Sequence, residues 1–460
     1  MRKLVASLLC GLVLGLGTSR AAAADPAVDA MADTFVAALP AGWTVTRAQW
    51  EFLDVADCFL TKESCFGNNP SSPYGYPIFN FAPRFLLAPS EAVVVFMRTP
   101  PEMRYFGFTQ YLISRGAVAE QVLASLSDTL NLTKFVTLAS SAPGQNVFNQ
   151  YAVLVWTADL NSLASVKALL ALQGIEGSKV NFLPLPIGLP LNMGYSADAD
   201  VFALLLRVAL PNVQAEFDAY RTEVPFAAMK ITPSAPPPVD PAPTIGYVDE
   251  TSGFAEDPAL ATALNELVAD IKAKYRRTFK LEQQVVRPFL AKGLDCIAGT
   301  TSACILDSHD SLYSADLSST SVTVRNLQDV VIVAGVNHRT TGKALYMNHS
   351  VNDPVKSTGI ITVDDTVLTT ASALYHAGVK LPRDPRVQRY KNLYAYAVSY
   401  DCNGLEHCMN IPAPTPEKPV GLPPGATFGL WERNYVDPRT GVRPDENEVV
   451  RQQVLVGTKR

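Results

Sequence analysis

Five histidines are the scarcest titratable side chains of this 460-residue chain, and all lie in its second half: His309, His338, His349, His376 and His407. Imidazole titrates near neutral pH, so a histidine beside a carboxylate is the first place to look for acid–base chemistry. His309-Asp310 is such a pair. Neighbours in an extended segment point to opposite faces. Asp310 is therefore expected to serve the Ser311-Leu312 turn, with His309 at the surface. His338, in Asn337-His338-Arg339, follows a valine-rich run and falls near a hairpin turn. His349 falls near the far end of the next strand, so the two are not expected to be neighbours. His-x-His and His-Glu-x-x-His spacings are missing, and no metal is expected. His376, late in a helix-like stretch, suits the negative end of a helix dipole. His407, beside Cys408, reads as loop.

Two basic residues, Arg104 and Lys343, begin similar valine- and aromatic-rich stretches. Facing each other across a cleft, they would hold an anion. The chemistry these residues allow is proton transfer by His309, Asp310, His338 and Lys343. Arg104, Tyr313 and Tyr346 would orient the substrate, a small molecule and an anionic one if the two bases meet. The alternative is a non-catalytic small-ligand binder or a structural surface protein. Nucleophile chemistry finds little support, because Gly194-Tyr195-Ser196-Ala197-Asp198 lacks the closing glycine of a nucleophile elbow. Neither a phosphate-cradling Gly-Lys-Ser/Thr loop nor Gly-x-Gly-x-x-Gly occurs, so no nucleotide or other cofactor is implied.

The elements that position these residues carry an internal likeness. Asp57-Cys58, Cys65 and Tyr74 are spaced like Asp295-Cys296, Cys304 and Tyr313, with Cys65 and Cys304 each nine positions before the tyrosine. Further blocks match: Val93–Phe96 with Val330–Val333, Arg104–Phe108 with Lys343–Met347, and Asn149–Val155 with Asn392–Val398. The fold class expected is α+β: two β-rich, sandwich-like units from an internal duplication, joined by helices and a proline-rich linker. The first unit with its helical extension spans 25–232, the linker 233–245 and the second unit 246–460. Strands are expected near Ala92–Arg98, Arg104–Leu112, Val147–Trp156, Asp329–Gly335, Lys343–Val351 and Asn392–Tyr400. Helices are expected near Val118–Leu126, Ser162–Leu172 and Val367–Ala377, the last stopped by Gly378. After Asp257-Pro258, an N-cap and first-turn proline, Leu260, Leu264, Leu267, Val268, Ile271 and Tyr275 share one helical face.

Arg2 and Lys3, the apolar run Leu4–Leu16 and Ala21–Ala24 form a signal-peptide pattern, with cleavage expected after Ala24. The run is too short to span a bilayer. Cys10 sits too early, after Leu9, for a lipoprotein. Loss of Arg2, Lys3 and Arg20 takes the net charge from −5 to −8, which disfavours nucleic acid as a partner. With 48% hydrophobic residues the chain can fill a large core. Secreted or periplasmic placement leaves six cysteines in an oxidising compartment, and their close spacing predicts the disulfides Cys58–Cys65, Cys296–Cys304 and Cys402–Cys408. Asn131 and Asn348 are glycosylation sequons, of consequence only in a glycosylating host.

Asp310-Ser311-Leu312-Tyr313-Ser314, ahead of a valine-rich strand, resembles the Asn-x-Asp-Thr-Leu-Tyr-Ser pattern of an uncharacterised class of exported bacterial β-rich proteins. Glu432-Arg433-Asn434-Tyr435 with Asp437-Pro438 and Thr440-Gly441 is similar to their C-termini. The resemblance covers about a quarter of the chain. It implies a β-rich, sandwich-like fold and no particular activity. His309 inside the motif and the disulfides depart from it.

Overall fold

The structure, a computed structural model, describes residues 25–53, 68–116, 121–186, 188–243, 247–284, 286, 288–289, 292–301, 304, 306–315, 322–324, 326–356 and 358–460. The signal-like segment and Cys58–Cys65 lie outside these residues.

The first half runs α1 (Pro26–Ala37), β1 (Thr44–Arg47), β2 (Gln49–Phe52), β3 (Tyr74–Ile78), β4 (Ala92–Arg98), β5 (Met103–Arg115), β6 (Gln121–Ser125), β7 (Leu130–Asn131), β8 (Tyr151–Thr157), α2 (Leu160–Ala171), β9 (Val180–Pro184), β10 (Asp200–Pro211), α3 (Gln214–Glu223) and β11 (Phe226–Thr232). The second half runs α4 (Pro258–Tyr275), β12 (Phe279–Gln284), β13 (Pro288–Phe289), α5 (Gly293–Ile297), β14 (Ser311–Ala315), β15 (Val322–Thr323), β16 (Val330–Val336), β17 (Tyr346–Asp353), β18 (Thr358–Asp364), α6 (Thr370–Ala377), α7 (Pro385–Arg389), β19 (Leu393–Ser399), β20 (Cys408–Asn410), β21 (Thr427–Tyr435) and β22 (Gln453–Lys459).

The halves share a plan. A five-stranded sheet β1-β11-β4-β8-β9 and a six-stranded sheet β2-β3-β10-β5-β6, with β7 also on β5, recur as β12-β22-β16-β19-β20 and β13-β14-β21-β17-β18, with β15 also on β21. Both five-stranded sheets end in a parallel pair, β8·β9 and β19·β20. Each unit packs its sheets face to face over an apolar core and covers the five-stranded sheet with helices. In the first unit Val93, Val95 and Met97 point between the sheets, while Val94 and Phe96 meet α1 and α2. In the second, Val331 and Val333 point inward, while Val330 and Ile332 meet α4 and α6.

Strand alternation makes this assignment of faces decisive, since a one-residue slip exchanges them. Arg207 on β10 lies opposite Tyr74 and Gly107, as Arg433 on β21 lies opposite Tyr313 and Asn348. The faces match when Val94 answers to Ile332, not Val331. Arg104 then answers to Leu345, not Lys343, because the register sets Tyr105 opposite Ala209 and Tyr346 opposite Tyr435. Tyr151 answers likewise to Leu393, not Tyr394, since Arg98 pairs with Tyr151 and Val336 with Leu393.

Strands β4, β8, β16 and β19 and helices α2, α4 and α6 follow the sequence reading. Asp257 caps α4, its carboxylate accepting from the Ala259 N–H at 2.9 Å, and the predicted apolar stripe is buried. Gly378 closes α6 at φ 74°. The stretch near Val118–Leu126 is not helical where it is described. Gln121–Ser125 form β6, with Tyr111 opposite Ser125. Pairing with the long β5 overrides the local helix preference. Cys296–Cys304 and Cys402–Cys408 are bonded. Among the described residues, no helix is long and apolar enough to cross a membrane.

Candidate functional site

The two six-stranded sheets turn their outer faces toward each other, and the sequence-nominated residues gather along that seam and its rim. Tyr74 and Tyr111 flank the Arg207 guanidinium, each ring centre 5.3 Å away. Arg433 lies over Tyr313 and Trp431. The Tyr435 ring meets Tyr105 at 4.8 Å and Tyr346 at 5.5 Å. Tyr313 and Tyr346 are thus walls of the seam, and the Tyr346 hydroxyl bonds Ser71 of the first unit.

A strap of chain, 247–256, follows the proline-rich linker and runs over the nominated titratable residues. Tyr247 stacks on the His309 ring at 4.3 Å. Glu250 meets His309 Nε2 at 3.0 Å and also receives Arg443. On the other side His309 Nδ1 pairs with Asp128 of the first unit. Burial opposes a charge on His309, but the two carboxylates outweigh it and raise its pKa above the ordinary value. Asp310 points the other way, as extended neighbours must, though not into its own turn. Its carboxylate accepts from Tyr105 Oη and Asn131 Nδ2, each at 2.8 Å. His309 is 2% exposed and Asp310 0%, so the expected surface histidine is instead a buried rivet between units.

Burial pushes the Asp310 carboxyl up to about 6, outweighing its two donors and the Lys134 charge. Its folded pKa exceeds the ordinary one, so it adds stability below about pH 4 and loses that share as pH rises through about 6. An Asp310→Asn variant is expected to flatten the pH 4–6 slope of the urea midpoint relative to wild type. Parallel profiles would show that the carboxyl titrates normally.

Between β16 and β17 the chain turns through Asn337–Leu345. The Asn337 side chain binds the turn on both sides, donating to Asp365 and Leu368 carbonyls and accepting from the Arg339 and Thr340 N–H groups. The turn delivers His338 and Lys343 to different partners. Lys343 Nζ reaches Asp437 and Glu448 carboxylates at 2.7 Å each, Ser252 Oγ at 3.1 Å and the Phe254 carbonyl at 3.2 Å. It is buried, so it faces no Arg104 across a cleft. Arg104 sits instead within electrostatic reach of Asp365.

His338 Nδ1 meets Glu256 Oε1 at 2.8 Å, and Nε2 lies 3.7 Å from Glu432 Oε1. Burial opposes its charge, but Glu256 and Glu432 prevail and hold its pKa up to about 10. Glu432 Oε2 also meets His349 Nε2 at 3.1 Å and accepts from Tyr394 Oη at 3.0 Å. His338 and His349, not expected to be neighbours, therefore share one carboxylate. Their strands flank a turn, but both side chains lean toward β21, which carries Glu432. Among the described residues, no group of histidine, cysteine or acidic side chains has the arrangement of a metal site. His376 is no dipole cation: buried between Tyr275 Oη and the His407 carbonyl, its pKa is lowered to about 3, chiefly by burial, and it stays neutral. His407 lies in a loop. Asn131 and Asn348 are fully buried, so neither accepts a glycan in the folded chain.

The interior of the second unit differs in kind from that of the first. In the first, Leu206 lies opposite Phe108 and Met97 opposite Ala152, all fully buried. At the corresponding places the second sets Glu432 opposite His349 and Gly335 opposite Tyr394. Gly335 is required: a Cβ there would lie 2.6 Å from the Tyr394 hydroxyl oxygen. A Gly–Tyr pair stands where the first unit has Met–Ala, and it carries a phenol to the core centre at similar volume.

One cleft touches these residues. About 370 Å³ in volume, it is lined by Phe254–Asp257, Leu260, Thr340, Thr341, Lys343, Asn392 and Arg439. Glu256 and Lys343 form its back wall with their charges already paired, and Arg439 stands half-exposed at the mouth, 4.9 Å from the Phe254 ring centre, with one nitrogen donating to the Gly342 carbonyl at 3.1 Å and lying 3.7 Å from Asp437. The partners Asp128, Glu250, Glu256, Glu432, Asp437 and Glu448 were not legible in sequence, being acidic residues far from the histidines and lysine they bind.

No protein family and no curated protein matches the chain by sequence. Among solved structures, it is similar to the VPA0106 protein of Vibrio parahaemolyticus, with 9% identity and a TM-score of 0.35 over 85% of this chain and 90% of that one. The partial N-terminal region of the enterococcal surface protein gives 8% identity and a TM-score of 0.17 over 89% and 88%.

Proposed function

We propose that this is an exported protein whose second unit binds a small polar molecule in the Glu256 cleft without transforming it. One observation carries the reading: the acid–base groups behind that cleft are buried and already paired with opposite charges. A general base must shed its proton near the working pH, whereas His338 is held protonated up to about 10. Lys343 divides three N–H donors among four acceptors. What the cleft offers a ligand is two threonines, Asn392, the Arg439 guanidinium and the Phe254 ring, in a volume typical of small-molecule sites.

Export is supported by the signal-like start and the two disulfides. We read the shared strand order as a duplication, in which the second copy took up polar groups. A second reading, an acid–base enzyme, is favoured by Glu432, His349 and Tyr394 standing where the first unit has Leu206, Phe108 and Ala152.

The test is calorimetry with a panel of small hydroxy acids and polyols, with mass spectrometry of the recovered ligand. Binding that weakens about tenfold in Arg439→Glu, as expected for a lost charged hydrogen bond, with ligand returned unchanged, supports the binding reading. A product that forms in wild type and fails to form in Glu256→Gln would replace it with the enzyme.

A further inference from the structure

The first unit holds a second, unrelated hollow, and its wall has donors that find no acceptor among the described residues. Two adjoining hollows share Arg221, near the end of α3. One, about 460 Å³, is lined by Trp50, Glu51, Phe52, Asp218, Arg221, Thr222 and Val224. The other, about 230 Å³, is lined by Leu53, Asn68–Pro70, Ser72–Tyr74 and Arg221.

Buried polar groups are ordinarily hydrogen-bonded, so each exception calls for a cause. Four exceptions line these hollows among the described residues: Trp50 Nε1 in the first, Asn69 Nδ2 and Ser72 Oγ in the second and Arg221 Nε in both are buried without a partner. Trp50 is 6% exposed and Ser72 2%. Three of the four atoms can only donate, and the fourth, the Ser72 hydroxyl, donates readily. Arg221 makes no ion pair among the described residues; its guanidinium rests over the Phe52 ring at 5.6 Å. The remaining polar atoms of the neighbours are occupied. Asn69 Oδ1 accepts from Ser71 and Asn348, the Asn69 N–H donates to Tyr74 Oη, and Asn68 Oδ1 accepts from the Gly359 N–H. Asp218 accepts from Gln214, and Glu51 is exposed.

Unpaired donors around one cation, beside aromatic rings, are what an oxyanion on a small organic molecule requires. We propose that this hollow binds such an anion, a carboxylate or phosphate monoester, with Arg221 as the charged contact and Trp50 and Ser72 as neutral donors. The site is independent of the Glu256 cleft: it lies in the other unit and shares no residue with it.

Acetate, benzoate, inorganic phosphate and phenyl phosphate serve as probes in calorimetry on the full mature chain. The first pair tests carboxylate and the second phosphate; within each pair, the second compound tests the aromatic wall. At least one probe is expected to bind at millimolar affinity or better. Arg221→Gln should weaken it at least tenfold, and Ser72→Ala or Trp50→Phe a few-fold each. Trp50→Phe keeps the ring and removes only the donor, and an unchanged melting temperature in Arg221→Gln excludes misfolding as the cause. Failure of all four probes, or equal binding by wild type and Arg221→Gln, overturns the proposal. Neither result bears on the Glu256 cleft, whose own test uses Arg439.

Discussion

Raised from pH 6 to pH 10, the folded protein is expected to lose several kcal/mol of stability, and a His338→Gln variant far less. The ordinary histidine pKa is about 6.5, and the folded chain holds His338 up to about 10. The folded state therefore keeps a proton that the unfolded chain releases. The stabilisation is complete below about pH 6.5 and is lost as pH rises through about 10. Each pKa unit corresponds to about 1.4 kcal/mol, so about 5 kcal/mol is a ceiling for this group. Full burial means that solvent does not screen the effect. His309 is shifted the same way and adds to the loss at its lower end. Carboxylates act at the other end: Glu250 and Glu448 are held at about 2 and Glu432 well below the carboxylate range, so their share disappears as pH falls below about 4.5. The stability maximum is thus expected between about pH 5 and 6.5. Urea midpoints from pH 4 to 10 measure it. At pH 6 the His338→Gln chain should be the less stable, because Glu256 and Glu432 lose their cation. By pH 10 the two chains should converge. A constant gap between the two curves would mean that His338 is neutral in the fold.

What the sequence shows of this architecture follows from what is local. The helix after Asp257 is legible because a cap, a first-turn proline and a 3.6-residue stripe all lie within the same 19 residues. β4 and β16 are legible as valine runs buried on both faces. Gln121–Ser125 misleads because edge pairing to β5 is a tertiary fact. The matched blocks reveal that two regions are alike, yet they mislead in register. Runs such as Val93–Val95 and Val330–Val331 align equally well one residue apart, while the face each residue presents is set by pairing with distant strands. That slip is what made Arg104 look like the counterpart of Lys343. The site fails for a related reason. A histidine's role depends on what faces it, and the groups facing His309 and His338 come from β21, the loop before β7 and the strap, between 59 and 181 positions away. Glu250 and Glu256 sit in a stretch that reads as the lead-in to a helix, and nothing local marks them as partners of buried bases.

The polar interior of the second unit makes the sharpest energetic case. Replacing Glu432 by Leu alone is expected to cost about 3–5 kcal/mol, the usual penalty for removing one member of a buried charged cluster. His338 would keep Glu256 at 2.8 Å, but His349 and Tyr394 would lose the acceptor they share. Removing the cluster as a whole is a different operation. Gly335→Met, His349→Phe, Tyr394→Ala and Glu432→Leu together install the residues that the first unit carries at the same ladder positions, Met97, Phe108, Ala152 and Leu206. That combination already packs between two sheets of the same strand order, and it leaves neither His349 nor Tyr394 short of an acceptor, while His338 keeps Glu256. The fourfold variant is therefore expected to recover most of the loss and to approach or exceed wild type, as buried ionic groups often do when exchanged as a set for apolar ones. Urea denaturation of the three chains at pH 6 measures both steps. If the fourfold variant is less stable than Glu432→Leu, the polar groups are what holds this core together. If it recovers, the second unit keeps a carboxylate, an imidazole and a phenol in its interior at the expense of stability, which stability alone does not explain; loss of ligand binding or turnover in the recovered chain would then identify what they are kept for.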